Sequence, residues 1–379
     1  MDKTGKVLVV DDSAFMRKMV SDILRQADLD VIATAYDGLD ALDKVRKLHP
    51  DVITLDIEMP RMDGVSFLRE LMRTDPTPVV VLSSLTAEGA DATLQCLELG
   101  AFDCLRKPSG AISLDIESIS KDIARIVKEA IHSRVGVQRT GRPASLAHHL
   151  VKPAQRDLSN EKLSPARGEV THKATPVNAT YSTVVLIASS TGGPAALQRV
   201  IPLLPANLGA PVMLVQHLPV GFTASLAQRL DNVSNLVVRE AKEGDQLSPN
   251  VVLVAPAGRH LAFDERRRVV LNNDPPLWGV RPAADVMFLS AAERFGSGLV
   301  AVVMTGMGKD GSLGAKMIRR KGGICIAQDE ASCVIYGMPK AALEAGGVDK
   351  LAPLDSIAGE IVEAVKQMER SRPIALNAK

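Results

Sequence analysis

From Lys6 to about Ala130, short runs rich in Val, Ile and Leu alternate with stretches whose apolar residues recur at helical intervals. The runs KVLVV, VIATA, DVITL, PVVVL and DCLRK read as buried strands, and Phe15 to Gln26 and Leu39 to Leu48 read as helices. That alternation predicts a parallel sheet covered by helices on both faces. Between about His132 and Ser182 the pattern stops, and the segment is rich in Pro, Ser, Lys and Arg without a sustained apolar period, as expected of a linker. Beyond it STVVLIA, APVMLVQ, NVVLVAP, RRVVLN, LVAVVMT and GGICIAQ are separated by helix-like stretches. The expectation is an α/β chain of two doubly wound domains: residues 1–131, a flexible linker over 132–182, a second domain over 183–370 and a tail over 371–379.

Composition narrows the partners. The 379 residues suffice for two or three domains, and 46% hydrophobic residues with a formal net charge of +1 describe an ordinary soluble protein. Lys and Arg number 45 against 44 Asp and Glu and are spread along the chain, which argues against a nucleic-acid partner. The opening MDKTGKVLVVDDS has too short an apolar run for a secretory signal, and no later stretch approaches the roughly 20 apolar residues of a membrane span. A cytoplasmic location without direct membrane insertion is expected. Cys96, Cys104, Cys325 and Cys333 are too widely spaced for a CxxC pair and lie in apolar surroundings, which suits reduced, buried thiols.

Asp11 and Asp12 directly follow the first predicted strand, and Asp56 directly follows the third. In a doubly wound sheet such positions lie at the carboxyl edge, where ligands bind. Converging carboxylates repel unless a cation offsets them, and a hard divalent ion such as Mg²⁺ takes carboxylate, carbonyl and water oxygens. Ser83 and Lys107 add a hydroxyl and a positive charge at the same edge, a set suited to phosphoryl transfer to a carboxylate. Taken singly, Asp11 or Asp12 reads equally well as a helix cap. The full set resembles the response-regulator receiver family, over essentially all of Lys6 to Ala130, and the resemblance implies a flavodoxin-like fold. It also implies Asp56 as phosphoacceptor, Asp11, Asp12 and Asp56 with the Glu58 carbonyl around Mg²⁺, Ser83 as switch hydroxyl and Lys107 as phosphate-pairing lysine. Cys104 stands where many receivers carry an aromatic.

In VLIASSTGGPAAL an apolar run ends in Ser189, Ser190, Thr191, Gly192 and Gly193 before a helical pattern. A hydroxyl nucleophile needs a base and a third group to orient that base. Of the seven histidines, His132, His148, His149 and His172 fall in or beside the linker and His49 lies in the first domain. His217 ends a strand; His260 reads as part of a Gly-containing turn between strands. A third strong strand ends in the Gly-rich loop TGMGKDG, which holds Asp310. Three strand ends thus offer Ser, His and Asp, although each alone also reads as a cap, a core histidine or a turn residue. SSTGGP could instead cradle a phosphate at a helix N-terminus, but neither G-x-G-x-x-G nor a G-K-[ST] ending is present, and there is no G-x-S-x-G elbow. The pattern leaves open which of the two serines reacts.

A receiver, a tether, then ASSTGGP, VQHLP and TGMGKDG in this order resemble the chemotaxis protein-glutamate methylesterases of the CheB family, over nearly the whole chain apart from the linker. The resemblance implies a C-terminal doubly wound α/β methylesterase domain in which Ser190 is the nucleophile, His217 the general base and Asp310 its orienter. Ser189 and Ala188 stand where the family commonly has alanine and glycine. Backbone N–H groups at Thr191, Gly192 and Met307 are expected to hold the oxyanion, and His260 and Arg281 to belong to the cleft walls. The implied activity is demethylation of glutamate methyl esters, and deamidation of selected glutamines, on methyl-accepting chemotaxis receptors. A histidine kinase of the chemotaxis pathway would be the phosphodonor, Mg²⁺ would serve the receiver, and the esterase site would need no cofactor. Unphosphorylated, the receiver is expected to cover the cleft. Two rival readings keep the same residues: a serine hydrolase with another substrate, and a phosphorylation-gated binding module.

Overall fold

The computed structural model describes residues 5–83, 87–108, 114–133 and 181–370. Most of the expected linker (134–180) and the tail (371–379) lie outside the described residues.

The first set of elements is β1 (Lys6–Val10), α1 (Ala14–Gln26), β2 (Asp30–Ala35), α2 (Gly38–Leu48), β3 (Val52–Asp56), α3 (Gly64–Thr74), β4 (Val79–Ser83), α4 (Ala87–Glu98), β5 (Asp103–Arg106) and α5 (Leu114–Ile131). The strands pair in parallel in the order β2-β1-β3-β4-β5. Short polar side chains start the helices: Ser13, Asp37 and Asp63 each accept a backbone N–H of the first turn of α1, α2 and α3. The chain leaves β1 toward β2 on one side and returns to β3 on the other, so the direction of winding reverses between β1 and β3. The ends of those two strands carry Asp11 and Asp56.

The second set begins with β6 (Val184–Ser189), α6 (Gly193–Val200), β7 (Val212–Gln216), α7 (Thr223–Val233), β8 (Val237–Glu240) and β9 (Val251–Val254). It continues through β10 (His260–Phe263), β11 (Val269–Asn272), α8 (Ala284–Phe295), β12 (Leu299–Val303), α9 (Ser312–Arg320), β13 (Ile324–Gln328), α10 (Met338–Glu344), β14 (Lys350–Ala352) and α11 (Ile357–Arg370). A seven-stranded parallel sheet has the order β14-β13-β12-β6-β7-β9-β8. Alternation along β6 divides the core: Val185 and Ile187 pack with α6, α7 and α11, while Val184, Leu186 and Ala188 pack with α8 and α9. Winding reverses between β6 and β12, which makes that edge the place for a ligand site.

Both domains are doubly wound α/β, as the alternation predicts. Three strands escape the pattern. β8 is an edge strand carrying Arg239 and Glu240, and β14 has only three residues, two of them exposed. β10 pairs antiparallel with β11 in a separate hairpin, so RRVVLN does not join the main sheet. His260 accordingly opens a strand and does not lie in a turn, because its apolar neighbours Leu261 and Phe263 are drawn into the core. Among the described residues, no helix is long and apolar enough to cross a membrane.

Candidate active site

At the edge of the first sheet, oxygens of Asp11, Asp12 and Asp56 all lie within 4.8 Å of one another. Asp11 and Asp56 are buried and Asp12 is exposed. The Lys107 ammonium lies 2.7 Å from Asp56 Oδ2 and 3.0 Å from Asp11 Oδ2. Burial pushes the Asp56 carboxyl above its ordinary range, and Lys107 opposes that shift only in part. For Lys107, burial works against the charge, but its two carboxylate contacts prevail and raise its pKa. Three carboxylates against one ammonium leave excess negative charge, so the donor set fits a hard divalent cation. Glu58 lies on the exposed loop just after β3. Ser83 is buried at the end of β4 and accepts a 2.6 Å hydrogen bond from Thr93 of α4.

At the reversal point of the second sheet, three loops converge. Ser190 follows β6, His217 follows β7, and Asp310 lies in the loop after β12. His217 Nε2 donates to Asp310 Oδ2 at 2.9 Å, and among the described residues Nδ1 has no hydrogen-bond partner. Asp310 is held by further donors: Ala284 N (2.6 Å), Asp285 N (2.9 Å) and Gly311 N (3.0 Å). The first two are the opening N–H groups of α8, so this carboxylate caps that helix from another part of the chain.

The two serines separate cleanly. Ser189 is fully buried and its hydroxyl donates to Gln216 Oε1 at 2.7 Å. Ser190 is half-buried, and among the described residues its hydroxyl has no hydrogen-bond partner. Its backbone is tied down, with Ser190 N donating to Thr305 O at 3.0 Å. Gly192 has a φ of 76° and caps α6, a left-handed conformation that favours glycine. Thr191 O accepts the Thr305 hydroxyl at 3.0 Å.

His260 is buried, accepts from Ala283 N at Nδ1 and lies 3.2 Å from Pro275 O at Nε2. Arg281 Nη1 donates to Asn273 O and Asp274 O, both at 3.0 Å. Both side chains brace the segment leading into α8. Two residues absent from the sequence reading also matter there. Asp285 is fully buried, accepts Gly314 N (2.7 Å) and Trp278 Nε1–H (2.8 Å), and is pushed upward in pKa by burial with Asp310 adding to the shift. Lys309 lies 3.9 Å above the Trp278 ring.

Residues 185–361 match the family model described as CheB methylesterase, and residues 7–116 match that of the response regulator receiver domain. A protein-glutamate methylesterase/protein-glutamine glutaminase of Pyrococcus horikoshii is 44% identical over 97% of this chain and 95% of its own. The protein of that name from Bacillus subtilis is 44% identical over 96% of this chain and 99% of its own. The chain belongs to the CheB methylesterase family. The solved catalytic domain of Thermotoga maritima CheB methylesterase is 43% identical, covering 48% of this chain and 99% of that one, with a TM-score of 0.47.

In this CheB-family chain the receiver meets the serine site directly. Asp103, which opens β5, accepts the Thr191 hydroxyl at 2.5 Å. Burial raises the Asp103 carboxyl, a shift that the Thr191 hydroxyl and the Cys104 N–H partly oppose. Arg125 of α5 lies 3.1 Å from Met307 Sδ. Both segments named for oxyanion binding are therefore touched from the receiver. Farther out, Arg229 of α7 reaches Asp91 Oδ1 (2.8 Å) and Glu98 Oε2 (2.9 Å) on α4, and Gln198 Nε2 donates to Glu98 Oε1 at 2.9 Å.

Proposed function

We propose that this chain is a cytoplasmic, phosphorylation-activated protein-glutamate methylesterase and protein-glutamine glutaminase, with a receiver over 1–131 and a catalytic domain over 183–370. Its substrates are methyl-accepting chemotaxis receptors, and its phosphodonor is the histidine kinase of the chemotaxis pathway. The observation that carries this reading is the His217–Asp310 pair, 2.9 Å apart, at the same edge of the sheet as Ser190, whose hydroxyl has no hydrogen-bond partner among the described residues.

Ser190 Oγ attacks the γ-carbonyl carbon of a glutamyl methyl ester while His217 takes its proton at the free ring nitrogen. Asp310 holds the ring and supports the positive charge it gains. The new C–O bond forms a tetrahedral oxyanion, for which backbone N–H groups at Thr191, Gly192 and Met307 are the donors, each worth roughly 3 to 4 kcal/mol. His217 returns the proton to the departing methoxy group, and methanol leaves. Water, activated in the same way, then attacks the acyl-enzyme and releases the glutamate carboxylate. A glutamine side chain follows the same course with ammonia as the leaving group.

Asp56 is the phosphoacceptor, with Lys107 and Ser83 pairing the phosphoryl oxygens. Asp11, Asp12, Asp56 and the Glu58 carbonyl would hold Mg²⁺, which supplies charge neutralisation for the phosphoryl group. The new charge stabilises one arrangement of the receiver over the other, so closure over Thr191 and Met307 is relieved. The test is methanol release from methylated chemoreceptor membranes, with and without a small phosphodonor and Mg²⁺. Ser190→Ala is expected to abolish release and the phosphodonor to stimulate the parent. A folded, phosphorylated parent that releases no methanol overturns the receptor assignment.

A further inference from the structure

The two strands that carry Ser190 and His217 are neighbours, and one buried side chain spans the gap at their ends. Gln216, the last residue of β7, is 1% exposed. Its Nε2 donates to Ser190 O at 3.0 Å and to His217 O at 2.8 Å, while Oε1 accepts the Ser189 hydroxyl at 2.7 Å. Both amide hydrogens and one carbonyl lone pair are thus engaged. A flipped amide would set its oxygen against two carbonyls, so the partners admit one orientation. Space has been kept for this group. A Cβ at Gly193 would lie 1.9 Å from Gln216 Oε1 and 2.9 Å from Ser189 Cβ. Gly193 is not among the positive-φ glycines; room for the Gln216 amide requires glycine there, not backbone conformation.

We propose that Gln216 is a positioning residue for acyl transfer, with Ser189 as its lock: one planar amide sets the separation of the Ser190 and His217 backbones. The inference rests on the reading of Ser190 and His217 as nucleophile and base. Gln216 touches no substrate and acts through the two carbonyls it holds. The separation matters because a displacement of about 1 Å between reacting groups can cost on the order of a hundredfold in rate. Loss of the Ser189 hydroxyl leaves a buried acceptor without its donor and loosens the amide; loss of the amide leaves the two strand ends held only by backbone bonds, Ser190 N to Thr305 O and His217 N to Ser189 O.

The experiment uses the full chain with a small phosphodonor and Mg²⁺, comparing the parent with Ser189→Ala, Gln216→Met and the double variant. Three quantities are read: kcat and KM for methanol release, the rate at which a fluorophosphonate labels Ser190, and the denaturation midpoint. Gln216→Met is expected to lower kcat and the labelling rate together, on the order of a hundredfold, with KM within about twofold. Ser189→Ala is expected to lower kcat by about three- to tenfold, and to add nothing in the Gln216→Met background, since its effect passes through the amide. A core role alone would move the denaturation midpoint and leave kcat and labelling in place, and that result overturns the proposal. So does a loss confined to KM, or a double variant whose losses multiply. If Gln216→Met does not fold, Ser189→Ala decides by the same kcat criterion. A parent that is neither active nor labelled overturns the serine–histidine reading and the brace with it; a labelled parent with unchanged variants overturns the brace alone.

Discussion

Ser189 and Ser190 are identical in covalent chemistry and differ in what surrounds them. One hydroxyl is spent on Gln216 inside the sheet; the other is half-buried and, among the described residues, has no hydrogen-bond partner. On the proposed mechanism Ser189→Ala costs rate through positioning, whereas Ser190→Ala removes the attacking oxygen. Gly193→Ala tests the same neighbourhood from the other side. A methyl group cannot share the space of Gln216 Oε1, so the amide must shift. The expected outcome is a loss of about 1–3 kcal/mol in unfolding free energy with a fall in kcat, read by denaturant titration and methanol release. Much of this was legible beforehand: a Ser-Thr-Gly-Gly turn after an apolar run, and a histidine and an aspartate ending two more. The residue pattern left the choice between the serines open, because adjacent strand residues point to opposite faces and the pattern alone does not say which face is filled; only the family resemblance pointed to Ser190. Nor did Gln216 stand out, since a polar residue closing a buried strand has the same signature whether it braces or merely ends it.

Helices α8 and α9 illustrate what pairs of elements add. Neither has a capping side chain of its own, with Ala283 and Gly311 at the cap positions. Each is capped by an acid from the other's neighbourhood: Asp310 takes Ala284 N and Asp285 N, and Asp285 takes Gly314 N. The exchange couples the orientation of the acid behind His217 to the packing of two helices. Asp285→Ala leaves Gly314 N and Trp278 Nε1 without their acceptor, and is expected to cost about 1–3 kcal/mol and to lower kcat. Thermal denaturation and ester hydrolysis measured on one preparation check both effects. Such capping across the chain leaves no local signature, because the residue three or four positions away is not the partner. Periodicity located the helices and the central strands for the opposite reason: those signals are local. It failed at β8 and β14, where edge position relaxes the demand for apolar residues, and at β10, which read as a turn because glycine and proline precede it.

At the scale of the whole molecule, the receiver grips the catalytic domain at the Thr191 turn, at Met307 and along α7. Arg229 is the outer clamp, and its Glu98 contact, with both side chains mostly shielded, outweighs that to the exposed Asp91. Arg229→Ala is expected to weaken closure by about 1 kcal/mol, raising activity without a phosphodonor roughly fivefold, as measured by methanol release. Asp103 adds a pH dependence. Its carboxyl is raised by burial in the closed arrangement and returns to the ordinary carboxylate range when exposed, so closing takes up a proton. Closure therefore strengthens as pH falls through the raised value and weakens above it. The ratio of phosphodonor-stimulated to basal activity should lean further toward acid in the parent than in Asp103→Asn, which keeps the titration of Asp56 and loses only that of Asp103. A parent slope unchanged in Asp103→Asn would assign the titration elsewhere. The reversal of winding in the second sheet has a consequence for biosynthesis. The serine strand β6 needs β12 beside it, and His217 and Asp310 stand 93 residues apart. The ribosome must release most of the catalytic domain before any esterase can exist, long after the receiver, synthesised first, can have folded. On the proposed reading, each new molecule thus acquires its regulator before its activity.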